Sequence, residues 1–335
     1  GVNTPHQSRP QKNDISLKLR HSRGCYPLLT AGLDLSTKMK IAYLILAHNT
    51  PMHMGRLMDA LSCENTGFFI HVDKKTNDPR FFEKNHRNAL FLKKRIPVYW
   101  GDFSQVEAIM LLMRAAIADT QKYDRFVLLS GSDYPVKSCA AIADFFETHR
   151  STEFIHIAEM PSETERKPLS RLTDYKTRPG QSRINRFIEK ILMKIGLITP
   201  QRDHKKYLGV LKPYAGSTWW ALSREAVKYI LDFDRKNIRI RRFFKNTSFP
   251  DEGYFQTILA NSEFKTHIKG NLTYADWSRG RRSPAYLSAK HIDMLNQGFH
   301  ISKNAACSRR EILFARKFPD DSAELIALLK PAPMA

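Results

Sequence analysis

The stretch MKIAYLILAHNTPMHMGRLMDALS, residues 39–62, decides the fold. Within it, Ile41–Ala47 is an uninterrupted apolar run of the length of one strand, which predicts a strand covered on both faces. Residues 51–62 open with a proline and place apolar side chains at helical spacing, so they predict an amphipathic helix. A buried strand followed directly by such a helix begins a βαβ unit, which favours a mostly parallel sheet flanked by helices.

Strands and helices continue to alternate as far as residue 160. Further strands are predicted at Phe68–Val72, Val98–Trp100, Arg125–Leu129 and Glu153–Ile157. Ser104, with Glu107 three residues later, predicts the capped start of the helix after the third strand. We therefore expect an α/β fold of the Rossmann type. Because ligands bind beyond the carboxyl ends of parallel strands, the site candidates are the residues at those ends, Asp73, Trp100 and Ser130–Asp133.

The composition is that of a globular and strongly basic protein. Hydrophobic residues make up 42% of the 335 residues, which excludes a disordered or fibrous chain. No run approaches 18 uninterrupted apolar residues, which excludes a transmembrane segment. The formal net charge of +21 attracts polyanions, whether nucleic acid, anionic lipid headgroups or phosphorylated ligands. The charge alone does not choose among them, and it is also compatible with a purely solubilising surface.

The four cysteines, Cys25, Cys63, Cys139 and Cys307, are widely scattered and form no CxxC pair. This spacing argues against a zinc ribbon and against a disulfide framework, and it indicates a reducing compartment. We therefore expect a cytoplasmic protein.

The sequence predicts one domain preceded by a tail. Residues 1–38 are rich in Ser, Pro, Gln, Asn and Arg without sustained periodicity, and are expected to be a poorly ordered tail or upstream extension. Residues 39–330 form the domain. We divide it into a nucleotide-binding half (39–160), a basic insertion (161–212) and an acceptor or catalytic half (213–330).

The basic insertion contains a predicted amphipathic helix. Residues 165–212 hold thirteen Lys or Arg against four acids. Apolar residues recur at helical spacing between Ile184 and Ile195, and the cations Arg183, Arg186, Lys190 and Lys194 occupy another face. One interpretation is an ordinary surface helix packed on the domain. The other is a contact with a membrane surface.

Three carboxylates are candidates for chemistry. Asp73 ends a predicted strand, where an aspartate commonly binds a ribose hydroxyl, caps a turn, or begins a metal-binding DxD pair. Since Lys75 occupies the second position of such a pair, the metal-binding interpretation is weakened. Asp251 and Glu252 follow Pro250 at a predicted helix start, where they either serve the helix dipole or supply a general base for a hydroxyl nucleophile.

Cations and tryptophans complete the candidate residues. Clusters near the C-terminus are either solvated or act as fixed cations that neutralise a diphosphate leaving group, namely Arg279, Arg281, Arg282, Arg316 and Lys317. Trp219 and Trp220 either stack on sugar faces or pack in the core. The sequence has no P-loop, GxGxxG, HExxH or GxSxG motif, which argues against nucleotide-hydrolysing, dinucleotide-binding, zinc-protease and serine-hydrolase functions.

An ordered set of short motifs covers roughly residues 40–320. The stretches are Ala47-His-Asn, Phe69-Ile-His-Val-Asp-Lys, Trp100-Gly, Ser104-Gln-Val-Glu-Ala, Leu128-Leu-Ser-Gly-Ser-Asp-Tyr-Pro, Gly216-Ser-Thr-Trp-Trp-Ala-Leu-Ser-Arg, Pro250-Asp-Glu-Gly-Tyr-Phe, Asp276-Trp-Ser and Leu313-Phe-Ala-Arg-Lys-Phe. Together they resemble glycosyltransferase family 14, the core-2/I-branching β-1,6-N-acetylglucosaminyltransferases and peptide O-xylosyltransferases.

The resemblance implies a GT-A-like fold and an inverting transfer from a UDP-sugar, with GlcNAc or xylose favoured, to a hydroxyl of a glycan. It implies that Glu252 is the catalytic base. It implies donor contacts from Val72, Asp73, Trp100, Arg282 and Lys317, with Arg279 or Arg281 able to replace Arg282. The family holds the diphosphate with an arginine and a lysine, so neither a divalent metal nor another cofactor is expected. Further candidates for sugar or acceptor contacts are Ser132, Asp133, Trp219, Trp220, Asp251 and Trp277.

The resemblance also bears on location and acceptor. Animal members carry an N-terminal membrane anchor and several disulfides, and the lack of both patterns here predicts a bacterial-type, cytoplasmic member that works at the inner membrane face. The basic insertion fits a lipid-linked or lipopolysaccharide-type acceptor and a peripheral contact with anionic lipid. Two alternatives stay open, an inactive family member that acts as a membrane-associated scaffold and a basic nucleic-acid-binding protein. For the latter the sequence has no recognised module.

Overall fold

Strand β1 (Ile41–Ala47) lies in the middle of the main sheet of the computed structural model, which describes residues 38–83, 86–180, 182–278, 283–297 and 312–330. It pairs in parallel with β2 (Thr66–Val72) on one side and with β4 (Arg125–Ser130) on the other. Strand β3 (Ala89–Phe91) continues the parallel pairing beyond β2. The apolar run that predicted a doubly covered strand is therefore buried on both faces.

Beyond β4 the sheet becomes mixed. Strand β7 (Tyr214–Ser223) runs antiparallel to β4 and to β6 (Glu153–Glu159), and β8 (Ile268–Lys269) closes the edge in parallel with β6. The order is β3-β2-β1-β4-β7-β6-β8, with four of its six pairings parallel. This arrangement confirms the predicted α/β class with a mostly parallel central sheet.

A second, three-stranded sheet brings the C-terminal segment back to the main sheet. Strand β10 (Phe314–Arg316) lies between β5 (Asp133–Pro135) and β9 (Thr273–Ala275). Because β5 begins three residues after β4 ends, this small sheet places Arg316 and Lys317 beside the carboxyl end of β4.

Helices cover both faces of the main sheet. In the described part of the chain the helices are α1 (Pro51–Leu61), α2 (Arg80–Glu83), α3 (Ser104–Ala118), α4 (Cys139–Thr148), α5 (Ser170–Thr173), α6 (Arg183–Lys194), α7 (His204–Leu208), α8 (Arg224–Lys236), α9 (Ile238–Phe244), α10 (Tyr254–Ala260), α11 (Ala289–Asn296) and α12 (Ala323–Ala327). One apolar cluster joins alternate residues of β1 to α1 and α4, and the other joins the intervening residues to α3, α8, α9 and α10. None of these helices is long and apolar enough to cross a bilayer.

The predicted strand at Val98–Trp100 is wrong. The backbone N–H of Val98 donates to the Asp73 carboxylate and that of Tyr99 donates to the Ser104 hydroxyl, so side chains take the place of a neighbouring strand. The hydroxyl that was expected to cap α3 is therefore engaged outside the helix. Asp102 accepts the backbone N–H of Ser104 instead, at 2.8 Å.

Cys63 and Cys139 form a disulfide between residues 76 positions apart in the chain. It joins the segment after α1 to the first residue of α4. The scattered spacing did not suggest this pair, because the two cysteines approach only through the packing of two helices on one face of the sheet. The disulfide is at odds with the reducing compartment that the spacing indicated.

Candidate active site

The loops that follow β1, β2 and β4 are tied together at one edge of the sheet. The Thr50 hydroxyl donates to the Gly131 carbonyl at 3.0 Å, which joins the first loop to the third. The Thr76 hydroxyl donates to the His48 carbonyl at 3.0 Å, which joins the second loop to the first. These three strand ends are the crevice in which an open α/β sheet binds its ligand.

Asp73 follows β2 at this edge, and its side chain is fixed by the turn that it begins. Its Oδ1 atom accepts the backbone N–H groups of Lys75 at 2.9 Å and Val98 at 3.4 Å. The ammonium group of Lys75 lies 3.5 Å from Oδ2 and 4.2 Å from the centre of the Tyr99 ring. An ammonium group thus occupies the neighbourhood in which a DxD pair would supply its second carboxylate.

Trp100 presents an open aromatic face next to this turn. Its side chain is 58% exposed, and its ring meets Phe249 edge to face with the ring centres 4.8 Å apart. The backbone N–H of Phe249 donates to the Gly101 carbonyl, which fastens the Trp100 turn to the segment that carries Glu252. Asp102 and Arg178 form an ion pair at 3.1 Å that holds the turn from the other side.

Arg316 and Lys317 form a partly buried cationic pair at the end of β10. The Arg316 guanidinium lies 3.5 Å from Asp133 Oδ1 and 4.0 Å from the centre of the Trp219 ring. Within the described residues its Nε and Nη1 atoms have no hydrogen-bond partner. Burial lowers the pKa of Arg316, which Asp133 partly offsets, and burial and the Arg316 charge both lower the pKa of Lys317.

His48 is in the loop after β1, and charges of the Asp73 turn and of the end of β10 act on its imidazole. Burial is the main cause that lowers its pKa. The charges of Lys317 and Arg316 lower this pKa further, whereas the charge of Asp73 raises it. Asp73 and Lys317, which are 244 positions apart in the sequence, therefore act electrostatically on the same imidazole.

Glu252 lies at the end of a short 3₁₀ turn, Pro250–Glu252, beneath the Trp100 turn. Its Oε2 atom accepts from Lys167 Nζ at 2.6 Å and from Arg171 Nη1 at 2.7 Å. Lys167 Nζ also donates to the Gly216 carbonyl of β7 at 2.9 Å. The side chain of Glu252 is 24% exposed, and the contacts that the described residues make with its carboxylate all fall on Oε2. Its other oxygen is therefore available to a substrate hydroxyl.

Asp251 points the opposite way, into the protein. Its Oδ2 atom accepts from the Thr218 hydroxyl at 2.7 Å and from the Gln105 amide at 3.2 Å. Burial, with the nearby charge of Glu252, raises the pKa of Asp251 to about 6. Of the two adjacent acids, Asp251 fastens the turn to β7 and α3, and Glu252 is the one that an acceptor can reach.

A groove opens on the surface of the basic insertion. Its volume is about 500 Å³, and its lining residues are Pro161, Ser162, Glu163, Arg166, Pro168 and Leu169. Lys167, which holds Glu252, belongs to the same segment.

The backbone of β7 approaches β6 unusually closely next to this groove. A Cβ on Gly216 would lie 1.8 Å from the His156 carbonyl, so only glycine fits there. This position is at the register shift between Ile155 and Ile157, which directs the following residues of β7 toward the site.

The other predicted site residues fall into three groups. Trp277 is 55% exposed, whereas Trp219 is half-buried, packs against the apolar core and contacts Arg316. Val72, Ser132 and Asp133 are buried beneath the strand ends, where Asp133 binds Ser130 and Arg316 and its pKa is raised by burial. Trp220 packs in the apolar core against Phe255, which corrects its candidacy as a sugar-stacking residue.

The arginine predicted to bind the diphosphate lies outside the described residues. Arg282 and its alternatives Arg279 and Arg281 are in the stretch 279–282, which the structure does not describe. Arg316 is the described arginine that accompanies Lys317.

A model of the core-2/I-branching enzyme family matches residues 41–296, which include every strand of the main sheet and the Asp73, Trp100 and Glu252 positions. The chain belongs to the core-2/I-branching enzyme family. The family predicted from the ordered motifs is thereby confirmed.

Individual relatives agree with the family assignment. This core-2/I-branching family member is 25% identical over 305 residues to xylosyltransferase 1 of Canis lupus familiaris, covering 85% of the chain and 29% of the relative. It is 25% identical over 318 residues to xylosyltransferase oxt of Drosophila pseudoobscura pseudoobscura, covering 86% of the chain and 33% of the relative. It is 24% identical over 297 residues to xylosyltransferase 2 of Canis lupus familiaris, covering 84% of the chain and 32% of the relative. The chain thus spans about a third of the length of these relatives.

The core-2/I-branching family member contains two site residues that sequence reasoning missed. Lys167 and Arg171 hold Glu252 although they precede it by 85 and 81 positions. In the sequence they are indicated only as members of the basic insertion, whose thirteen Lys and Arg residues cannot be told apart by pattern. In the described part of the chain, no three His, Cys, Asp or Glu side chains are grouped so that they could hold a metal ion.

Proposed function

We propose that the protein is an inverting glycosyltransferase that moves a sugar, GlcNAc or xylose, from a UDP-sugar to a hydroxyl of a glycan. The observation that carries this proposal is the convergence of Asp73, Trp100, Lys317 and Glu252 on one edge of a Rossmann-type sheet in a member of the core-2/I-branching family. Each of these residues has a property that the reaction needs.

The donor side requires recognition of a nucleoside and of a diphosphate. The open face of Trp100 suits stacking on a uracil ring, and the carboxylate of Asp73 suits a hydrogen bond from a nucleoside hydroxyl or imide. Lys317 supplies an ammonium group for the phosphates, and Arg316 beneath it adds a second positive charge. The pair would stabilise the charge that develops on departing UDP.

The transfer itself is a single displacement. The acceptor hydroxyl oxygen bonds to the anomeric carbon, its proton passes to Glu252, and the bond from that carbon to the phosphate oxygen breaks with its electron pair leaving on UDP. An α-linked donor thereby becomes a β-glycoside. Lys167 and Arg171 hold Glu252 by one oxygen and leave the other for the proton.

We propose that the reaction needs no divalent metal. Lys75 places its ammonium group 3.5 Å from Asp73, in the neighbourhood that a metal-binding pair would fill with a second acid. Fixed cations then provide the charge neutralisation that a metal ion provides in other transferases.

We further propose that the acceptor is a lipid-linked or lipopolysaccharide-type glycan of bacterial surface polysaccharide synthesis, met at the cytoplasmic face of the membrane. The basic insertion that carries α6 also forms the groove and supplies Lys167 and Arg171, which bind Glu252. An acceptor that reaches Glu252 from this side therefore approaches along a strongly basic segment.

A screen for UDP release tests the donor and metal proposals together. We expect release from UDP-GlcNAc or UDP-xylose in the presence of glycan extracts, at the same rate with and without EDTA. Loss of release with EDTA would contradict metal independence. No release from any nucleotide sugar would favour the inactive scaffold, and strongly salt-dependent binding to DNA or RNA would favour the nucleic-acid alternative.

The cytoplasmic location makes a prediction about the two cysteines that the fold brings together. Because the cytosol keeps thiols reduced, we expect Cys63 and Cys139 to react with a thiol-blocking reagent in intact cells and to close into the disulfide after oxidation. Mass spectrometry after rapid alkylation measures this, with Cys63→Ser as the control for peptide assignment. A Cys63–Cys139 disulfide already formed in cells would contradict the location.

A further inference from the structure

Helix α6 exposes most of its apolar residues to solvent. No residue of the helix is buried, and six large apolar side chains in and just after it have exposed fractions between 42% and 72%. These are Ile184, Phe187, Ile188, Ile191, Ile195 and Leu197. At 3.6 residues per turn, the first five fall within about 100° of the helix circumference. A contiguous apolar surface of this kind marks an interaction site.

The helix is attached to the domain by a different side. Glu189, Leu192 and Met193 are its half-buried residues, and they lie on an arc that adjoins the apolar one. Glu189 accepts a hydrogen bond from the Tyr175 hydroxyl at 3.0 Å. The interpretation of α6 as an ordinary surface helix, with its apolar face packed inward, is therefore wrong.

The third side of the helix is basic. Arg183, Arg186, Lys190 and Lys194 are all exposed and fall on an arc of about 80° that borders the apolar arc. Glu189, the one acid of the helix, accepts a hydrogen bond from Tyr175. The surface thus combines an apolar strip with a row of four positive charges.

The apolar strip and the row of positive charges together indicate which partner covers this surface, a second copy of the chain or an anionic lipid surface. Two copies of the chain that met through α6 would bring two rows of like charge together in a protein whose net charge is already +21, and repulsion opposes that contact. An anionic lipid surface satisfies both sides, because apolar side chains enter the boundary between headgroups and acyl chains while the cations meet phosphates.

We propose that α6 binds the surface of anionic membranes, with Ile184, Phe187 and Ile191 inserted and with Arg186 and Lys190 contacting lipid phosphates. The helix is firmly connected to the candidate active site. The segment that precedes it carries Arg178, which binds Asp102, and Gly180, where a Cβ would lie 2.5 Å from the Tyr99 ring. As far as it concerns the acceptor, this inference rests on the proposed function, since it brings the Trp100 turn close to the lipid surface.

The full chain is tested by co-sedimentation with vesicles that contain about 30% phosphatidylglycerol in phosphatidylcholine, a composition whose surface potential attracts basic segments. We expect binding at low salt, loss of most binding at high salt because the Debye length shortens, and little binding to pure phosphatidylcholine. Failure to bind the anionic vesicles at low salt would overturn the proposal.

Two variants separate the apolar from the electrostatic contribution. The triple variant Ile184→Gln, Phe187→Gln and Ile191→Gln removes insertion and should weaken binding at least about a hundredfold, since each such side chain contributes on the order of 1 kcal/mol or more on insertion. The double variant Arg186→Gln and Lys190→Gln should weaken it about thirtyfold, because each basic residue near the surface contributes about 1 kcal/mol. Circular dichroism checks that both variants fold.

Matched changes elsewhere act as controls. Lys228→Gln with Arg239→Gln removes the same charge from exposed positions on α8 and α9, and Ile238→Gln removes an exposed apolar side chain from α9. Both controls should bind vesicles like the wild type. Equal binding by all the variants, or a wild-type dimer that the triple variant converts to monomer in sedimentation velocity, would overturn the proposal.

The outcome is separable from that of the proposed function. UDP binding in the absence of vesicles should be the same for the wild type and for the α6 variants. Vesicle binding without any UDP binding would leave the membrane contact standing and remove the transferase. UDP binding without vesicle binding would do the reverse.

Discussion

Glu252→Gln should lower sugar transfer by about two to four orders of magnitude and leave the affinity for UDP within a few-fold of the wild type. The amide keeps the shape of the side chain and can still accept hydrogen bonds from Lys167 and Arg171 through its oxygen. What it loses is the ability to take the proton of the acceptor hydroxyl. Because only that step is affected, we expect the change to appear in kcat, with little effect on donor binding.

The neighbouring carboxylate provides the matched control. Asp251→Asn also replaces one acid by its amide, but Asp251 is buried and engaged with Thr218 and Gln105. We expect it to alter the temperature of unfolding more than the rate of transfer. Measurements of kcat, KM and UDP affinity on both variants, with thermal unfolding of each, decide between them. A Glu252→Gln variant with normal turnover, beside an inactive but folded Asp251→Asn variant, would transfer the role of base to Asp251.

Lys317→Ala should weaken UDP binding and lower transfer, each by about a hundredfold to a thousandfold. The loss is of the order found when one preorganised donor to a developing negative charge is removed. Lys317 is partly buried beside Arg316, so its charge is poorly screened by water, and burial has already lowered its pKa. Lys317→Arg keeps the positive charge and should recover part of the binding.

The nature of the ligand makes this second prediction specific. Uridine lacks the diphosphate, so its affinity should be the same for the wild type and for Lys317→Ala, whereas Trp100→Ala should weaken uridine and UDP alike. Isothermal titration measures uridine and UDP on the wild type and on both variants, and Lys290→Ala, at an exposed position of α11, controls for the general loss of one charge. If Lys317→Ala weakened uridine as much as UDP, the lysine would have a structural role and the diphosphate contact would have to be sought elsewhere.

Sequence pattern predicted the fold well where hydrophobic burial determines it. The bounds of β1 were predicted to the residue, because an apolar run between polar residues has one solution in a sheet covered on both faces. The segment Val98–Trp100 failed for the opposite reason. Its β-branched and aromatic residues favour a strand, but Asp73 and Ser104 take its backbone N–H groups, and side-chain hydrogen bonds of this kind have no local signature.

The sequence predicted which residues are candidates for the site, but it did not predict how their side chains are arranged relative to one another. Short motifs and the family resemblance identified Asp73, Trp100, Glu252 and Lys317 as candidates. Of these, Asp73 was also indicated by the end of a predicted strand and Glu252 by a predicted helix start. These patterns could not show that Asp251 faces inward and Glu252 outward, since that depends on how a 3₁₀ turn packs against β7 and α3. The pairing of Lys167 and Arg171 with Glu252 was equally hidden, because it joins segments more than 80 positions apart.

The amphipathic pattern of α6 was evident from the sequence, but the side that meets the domain was not. Periodicity separates apolar from basic positions and would normally place the apolar ones inward. The contact of Glu189 with Tyr175 and the partial burial of Leu192 and Met193 show that this helix is attached by the side that carries these three residues.

One stretch of chain, residues 161–212, supplies both the two cations that bind Glu252 and the helix whose apolar side chains are exposed to solvent. Under the proposed function and the proposed membrane contact, one segment thus determines both the surroundings of the proton acceptor and the place at which the protein works. A relative with a different segment at this point of the same sheet is expected to differ in its acceptor and in its location together.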